Sequence, residues 1–184
     1  MRSDKRLLVA ARMIAGLVGA LSSMPSAWAQ SPSRTRVVEP LDAATLIKIR
    51  TLYRHLIEAE NRHDLAEVRR MVWDSPSTLF VAKTATLEEG NWAGFCGTDV
   101  VMQHLADLYS AGAFRIDPDY DKEKVVGLTH DVAETYAPVQ ITVAYAGQTP
   151  VPRPFLMILN WIRTPQGWRM ASDIALPIPI PPHS

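Results

Sequence analysis

Two apolar runs near the C-terminus, Phe155 to Ile162 and Trp168 to Leu176, flank Thr164-Pro165-Gln166-Gly167. A turn with Pro second and Gly fourth between apolar arms predicts a β-hairpin over Arg153 to Leu176. The first arm is apolar at successive positions, which predicts a strand inside a sheet, covered on both faces. Upstream the period changes. Leu46, Ile49, Tyr53, Leu56, Ile57 and Glu60 recur at three- and four-residue steps and predict a helix starting near Pro40 or Asp42. Lys48, Arg50, Arg54 and Glu58 form its solvated face, and Asn61-Arg62-His63 breaks the pattern. Asp64-Leu65-Ala66-Glu67 reads as a capping box, with Asp64 accepting from the Glu67 amide and Glu67 reaching back. It opens a short helix with Leu65, Val68, Met71 and Val72 inward, closed before Asp74-Ser75-Pro76.

Thr78 to Ala82 is predicted as a short strand and Lys83 to Gly97 as a glycine-bearing loop. Thr98 is expected to cap a third helix with the stripe Val101, His104, Leu105 and Leu108, ending at Gly112. Four antiparallel strands or more complete the chain. Ala113 to Tyr120 reads as an edge strand, Lys124 to Thr129 as a strand, and His130-Asp131 as a turn. Val132 to Tyr145 alternates, with Ala133, Thr135, Ala137 and Val139 on its smoother face. Pro138 lacks a ladder donor and predicts an edge position or a bulge there.

The hairpin allows a facing argument. If Thr164 pairs with Gly167, Trp161 opposes Met170, Leu159 opposes Ser172, and Met157 opposes Ile174. Opposed residues share a face. The face carrying Leu159, Trp161, Met170, Ser172 and Ile174 is the expected core lining. Asp173 then falls on the outer face with Arg169, as a surface or interface ion pair. A slip of one residue would exchange the two faces.

Composition adds a compartment. Arg2, Lys5 and Arg6 precede a largely apolar stretch, Leu7 to Leu21, and Ala27-Trp28-Ala29 follows. This reads as a signal peptide over residues 1–29, with export to the periplasm or medium. Residues 30–40 read as a flexible leader, 41–177 as one domain, and 178–184 as a Pro-rich tail. The remaining ~155 residues are enough to bury a core without disulfide staples. Cys96 is the single cysteine and is expected to be a buried, inert thiol. Nineteen basic residues balance nineteen acidic ones, and the signal holds a basic excess, so the rest is slightly acidic. That argues against nucleic acid. No basic amphipathic stretch argues for membrane binding after signal cleavage.

The order helix, helix, strand, helix and then antiparallel strands resembles the nuclear transport factor 2-like superfamily, with its SnoaL-like and ketosteroid-isomerase-like branches. Four stretches carry the likeness. They are Glu58-Ala59-Glu60-Asn61-Arg62-His63-Asp64, the helix start Gly97-Thr98, the strand entry His130-Asp131-Val132-Ala133, and Gly167-Trp168-Arg169-Met170. It covers roughly residues 41–176. The resemblance implies an α+β fold in which a cone-shaped, curved antiparallel sheet wraps a long N-terminal helix, with two further helices. It implies an open end able to hold a small apolar ligand, and homodimers through the outer sheet face. Some members are isomerases, dehydratases, cyclases or hydrolases, so fold does not fix function. Many relatives carry histidines where this chain has Ser172 and Ile174, and the isomerase base would fall near Ala82-Lys83, where there is no carboxylate.

The remaining acid-base candidates are His104, on the inward stripe of the third helix, and Tyr53, as a hydroxyl donor to a carbonyl oxygen. Trp92 and Phe95 are candidate pocket-lining residues at the cone mouth, with Leu159, Trp161, Met170 and Ser172 from the hairpin. His55, His63, His104 and His130 lack metal-ligand spacing, so no metal and no organic cofactor is expected. Three readings stay open: a binding protein for a small apolar or amphipathic molecule, an isomerase, dehydratase or cyclase using His104 and Tyr53, and a non-catalytic dimerisation module.

Overall fold

The computed structural model describes residues 41–83, 92–144 and 149–178, all within one compact unit. The expected signal peptide, the leader and the tail from residue 179 onward lie outside the described residues. In chain order the elements are α1 (Ala43–Asn61), α2 (Leu65–Met71), β1 (Leu79–Lys83), β2 (Trp92–Cys96), α3 (Thr98–Ser110), β3 (Phe114–Pro118), β4 (Lys124–Gly127), β5 (Val132–Val143), β6 (Arg153–Thr164) and β7 (Gly167–Pro177). The strands form one sheet in the order β2-β1-β7-β6-β5-β3, and β4 also pairs with β5. Pairing is antiparallel except between β1 and β7, which run parallel, so the sheet is mixed where an antiparallel one was expected.

Helix α1 starts as its sequence dictates. Asp42 caps it, accepting from the Thr45 N–H at 2.7 Å. Its inward stripe, Ile49, Tyr53, Leu56, Ile57 and Glu60, is buried. The helix ends at His63, the only described non-glycine residue with positive φ, at 56°. Glycine usually takes this left-handed closing position. Here the imidazole stacks on the Tyr109 ring at 4.6 Å. Helix α2 opens with half of the predicted capping box. Asp64 accepts from the Glu67 N–H at 3.0 Å, but Glu67 does not complete it. Its carboxylate is held by Arg70 and by His55, the latter at 2.8 Å, and the Asp64 N–H donates to the Ala59 carbonyl.

Two local expectations fail for identifiable reasons. The predicted loop 83–97 contains strand β2, which pairs with β1 from Leu79↔Cys96 to Lys83↔Trp92; Gly94 inside that strand hid it, because glycine is depleted in strands. Thr98 is the first residue of α3 rather than its cap. The cap position is Gly97, at φ 92°. The Thr98 hydroxyl instead donates to the Trp73 carbonyl at 2.8 Å and accepts from the Ser75 N–H at 2.9 Å. It ties α3 to the segment leading into β1.

Pro138 sits neither on an edge nor in a bulge. Along β5, strand β4 pairs with Ala133 to Tyr136 and strand β3 with Val139 to Val143. Pro138 occupies the joint between these two partners, where a missing N–H breaks no ladder, and its carbonyl accepts from Asp119. The edge strand β3 is satisfied from α1. The Asn61 amide donates to the Ile116 carbonyl at 2.8 Å and accepts the Ile116 N–H at 2.7 Å.

The hairpin holds the decisive correction. Thr164 pairs with Gly167 and Trp161 with Met170, as the sequence predicts. Gly167, at φ 104°, supplies the left-handed residue that closes the turn. Beyond Trp161 the register shifts by one. Ala171 has no partner, Asn160 faces Ser172, Leu159 faces Asp173, and Met157 faces Ala175. An extra residue in one strand defines a β-bulge. From there on the faces of β7 exchange. Ser172 and Ile174, expected inside, point outward, and the Ser172 hydroxyl accepts from the Asn160 amide at 2.8 Å. Asp173, expected outside, turns into the core with none of its surface exposed.

Candidate functional site

On the inner face of the sheet, one cross-strand row runs Phe80, Asp173, Leu159, Thr135. Helix α1 lies over this face and brings Glu60 to it. Glu60 is 1% exposed and Asp173 0%. Both carboxyls line a cavity whose remaining walls are apolar, among them Phe80, Leu108, Phe114, Ile116, Phe155 and Met157. About 40 Å³ of it is open to the centre of a water-sized molecule. That is room for roughly a few waters or a ligand of a handful of heavy atoms.

None of the four carboxyl oxygens has a hydrogen-bond partner. Burial raises both acids above the usual carboxylate range. Asp173 is pushed up to about 8 by burial, and Glu60 is raised well above the ordinary glutamate value by burial and by the Asp173 charge. Two like charges this close in an apolar setting cannot both persist, so protons are retained on the pair.

Two buried phenols sense the charge of the pair without lining the cavity. The Tyr53 and Tyr109 hydroxyls are buried without partners, and both are raised by burial and by the charges of Glu60 and Asp173. The Tyr53 ring meets the Tyr120 edge at 6.4 Å, and Tyr120 lies under the Arg54 guanidinium at 4.6 Å. Arg54 in turn binds Glu123, at 3.1 Å. Tyr109 is held between His63 and Phe114. Packing therefore fixes both phenols.

The structure separates the sequence candidates. Tyr53 feels the charge of the acid pair but is not among the residues that line the cavity. His104 is 6% exposed, its ring stacks on Phe95 at 3.8 Å, and both line an open surface hollow with Asp99, Val100, Gln103 and Asp107. Nothing in that hollow includes Tyr53. Burial lowers the His104 pKa, so the ring there is neutral. Leu159, Trp161 and Met170 are fully buried in the packed core, beneath the cavity rather than in its walls. The Trp161 indole donates to the Thr135 hydroxyl at 3.1 Å. Ser172 is on the outer face, a correction that follows from the bulge. Trp92 has its backbone in β2, and its side chain lies outside the described residues. Cys96 is exposed, not buried.

Glu60, Asp173 and Tyr109 escaped the sequence reading in different ways. Glu60 was visible as the one carboxylate on the inward stripe of α1, a strong signal left unused. Asp173 was hidden by the bulge. Tyr109 lies one position after Leu108 on a helix read only through its apolar stripe. Among the described residues no three His, Cys, Asp or Glu side chains converge as a metal site.

No protein-family model and no curated protein matches this chain. Solved structures do. A nuclear transport factor 2-like superfamily protein from Salmonella enterica aligns with a TM-score of 0.63 at 11% identity, over 76% of this chain and 96% of the other. A proposed aromatic ring hydroxylase from Novosphingobium aromaticivorans aligns with a TM-score of 0.61 at 13% identity, over 76% and 92%. A proposed dehydratase of the nuclear transport factor 2-like family from Streptomyces avermitilis aligns with a TM-score of 0.60 at 18% identity, over 74% and 98%. At these identities the likeness speaks for the backbone alone: the chain has the nuclear transport factor 2-like fold.

Proposed function

We propose that the protein binds a small molecule in the cone, with an apolar body against the sheet and a polar end at Glu60 and Asp173. One observation carries this reading: two fully buried carboxyls without partners, in a cavity otherwise walled by hydrocarbon and aromatic rings. A buried polar group left unpaired costs about 1–3 kcal/mol, and more when charged. A fold keeps such a cost where the groups have work to do. The size of the cavity sets the test. Isobutanol titrated into the protein is expected to shift the NMR signals of Ala82, Ile116, Met157 and Ala175 saturably, with a Kd in the millimolar range. Shifts confined to surface residues at the highest concentration reached would remove the reading.

A second reading, acid-base catalysis, is favoured by one specific feature. A pair that retains a proton near neutral pH is suited to protonate one atom of a substrate and deprotonate another. In that case Glu60 and Asp173 are the acid and base. The pairing of His104 with Tyr53 has no geometric support.

We further propose that the outer sheet face joins two copies. One cross-strand row on that face reads Val81, Ile174, Ile158, Tyr136, an apolar band with polar Ser172 and Asn160 beside it. Placing a charge in its centre, Ile158→Glu, is expected to shift sedimentation from dimer to monomer. A wild type that sediments as a monomer would sink the proposal.

A further inference from the structure

The charge inventory of the cavity is one-sided. Among the lining residues α1 supplies Glu60, α3 Leu108, and β7 Asp173 and Ala175, while the Tyr53 and Tyr109 phenols feel both acids from outside the lining. Strands β1, β3, β5 and β6 contribute only apolar side chains. The next acid felt by Tyr53 is Glu123, and it is already engaged by Arg50 and Arg54. Among the described residues no cationic side chain lines the cavity.

The hydrogen-bond inventory is one-sided as well. Four carboxyl oxygens wait as acceptors, while the described lining side chains offer no donor beyond whatever protons the pair retains. An acceptor-only occupant, such as a ketone or a carboxylate, would leave most of those oxygens unmet, and an anion would add repulsion. A divalent metal ion fits no better. It needs about six oxygen ligands, and the walls beyond the pair are hydrocarbon. An alkylammonium brings three N–H donors and one positive charge. The aromatic rings of Phe80, Phe114 and Phe155 on the walls are also compatible with a cation.

We infer that the ligand of this cavity is a small organic cation, an ammonium or amidinium on a compact apolar body, with its charged end between Glu60 and Asp173. This rests on the proposed use of the cone as a binding site. It also predicts the proton traffic. The empty pair holds protons that a bound cation replaces, so binding releases protons and tightens as pH rises.

The probes are three near-isosteres: isobutylamine, isobutanol and isobutyrate, titrated from pH 5.5 to 8.5 and followed by NMR and calorimetry. The amine, which stays protonated throughout, is expected to bind about tenfold more tightly at pH 8.5 than at pH 5.5. Its heat should vary with buffer ionisation as protons are released. Isobutanol should bind with a flat or falling pH profile, and isobutyrate should not bind. In Glu60→Gln/Asp173→Asn the pH gain of the amine should vanish. If isobutanol binds on the inner face while the amine shows no gain with pH, the cation inference falls and the binding site stands. If no probe reaches the inner face, both fall.

Discussion

Asp173→Asn is expected to stabilise the protein at pH 8–9 and to change little near pH 4. The folded pKa of Asp173 lies near 8, above an unfolded value close to 3.9. Between those values the folded state holds a proton that the unfolded chain has lost. Stability associated with Asp173 is therefore fully present below about pH 4 and is lost as pH rises toward and through 8. Glu60 acts in the same direction. Asparagine fills the same space, does not titrate, and can donate as the protonated acid does, so the slope disappears with it. A shift of about four pH units has a ceiling near 6 kcal/mol. Relaxation and water entry reduce that, and a gain on the order of 2–4 kcal/mol at pH 9 is expected. The paired surface carboxylates Asp42, Asp119 and Asp131 have lowered pKa values. They act with the opposite sign and below about pH 4, so the two windows do not overlap. Urea unfolding of wild type and variant at pH 5, 7 and 9 measures the effect. Parallel stability profiles would count against a buried, proton-holding pair.

Trp161→Ala carries the largest expected loss of stability. The indole is fully buried, sits between Ala133 of β5 and Met170 of β7, and donates to a buried threonine. Removing it opens a void in the packed core and orphans the Thr135 hydroxyl. The expected cost is about 3–5 kcal/mol. Trp161→Phe keeps most of the packing and loses the hydrogen bond, at a cost nearer 1–2 kcal/mol. Denaturant midpoints for the two variants separate these contributions. Because Trp161 is not a wall residue, the phenylalanine variant should keep ligand binding.

The elements were legible because they are built on local periodicity. The stripe of α1, the Asp42 and Asp64 caps, and the hairpin turn each depend on residues a few positions apart. What was not legible depends on partners distant in sequence. Pro138 is tolerated because β5 changes neighbours at that point, a fact of sheet order. Glu67 leaves its capping role because His55 on α1, twelve residues earlier, joins Arg70 in holding its carboxylate. The site itself turned on a single residue. Alternation along β7 places Asp173 outside unless one residue is skipped, and Ala171-Ser172, both small and uncharged, do not announce a bulge. Had the inward position of Glu60 been weighed, a second acid in search of the same face would have been the natural question. Burying one carboxylate on an apolar stripe is costly enough to demand a companion or a ligand.

Burial in an apolar cavity keeps protons on Glu60 and Asp173 well above the usual carboxylate range. Their titration can be read directly from the side-chain carboxyl carbons of Glu60 and Asp173 by NMR between pH 3 and 10, assigned with Glu60→Gln and Asp173→Asn. The expected result is an Asp173 midpoint near 8 and a Glu60 midpoint well above the ordinary glutamate value, with Asp173→Asn lowering the Glu60 midpoint. Independent titration of both carboxyls near pH 4 would contradict it, because solvated, uncoupled acids cannot form the site described.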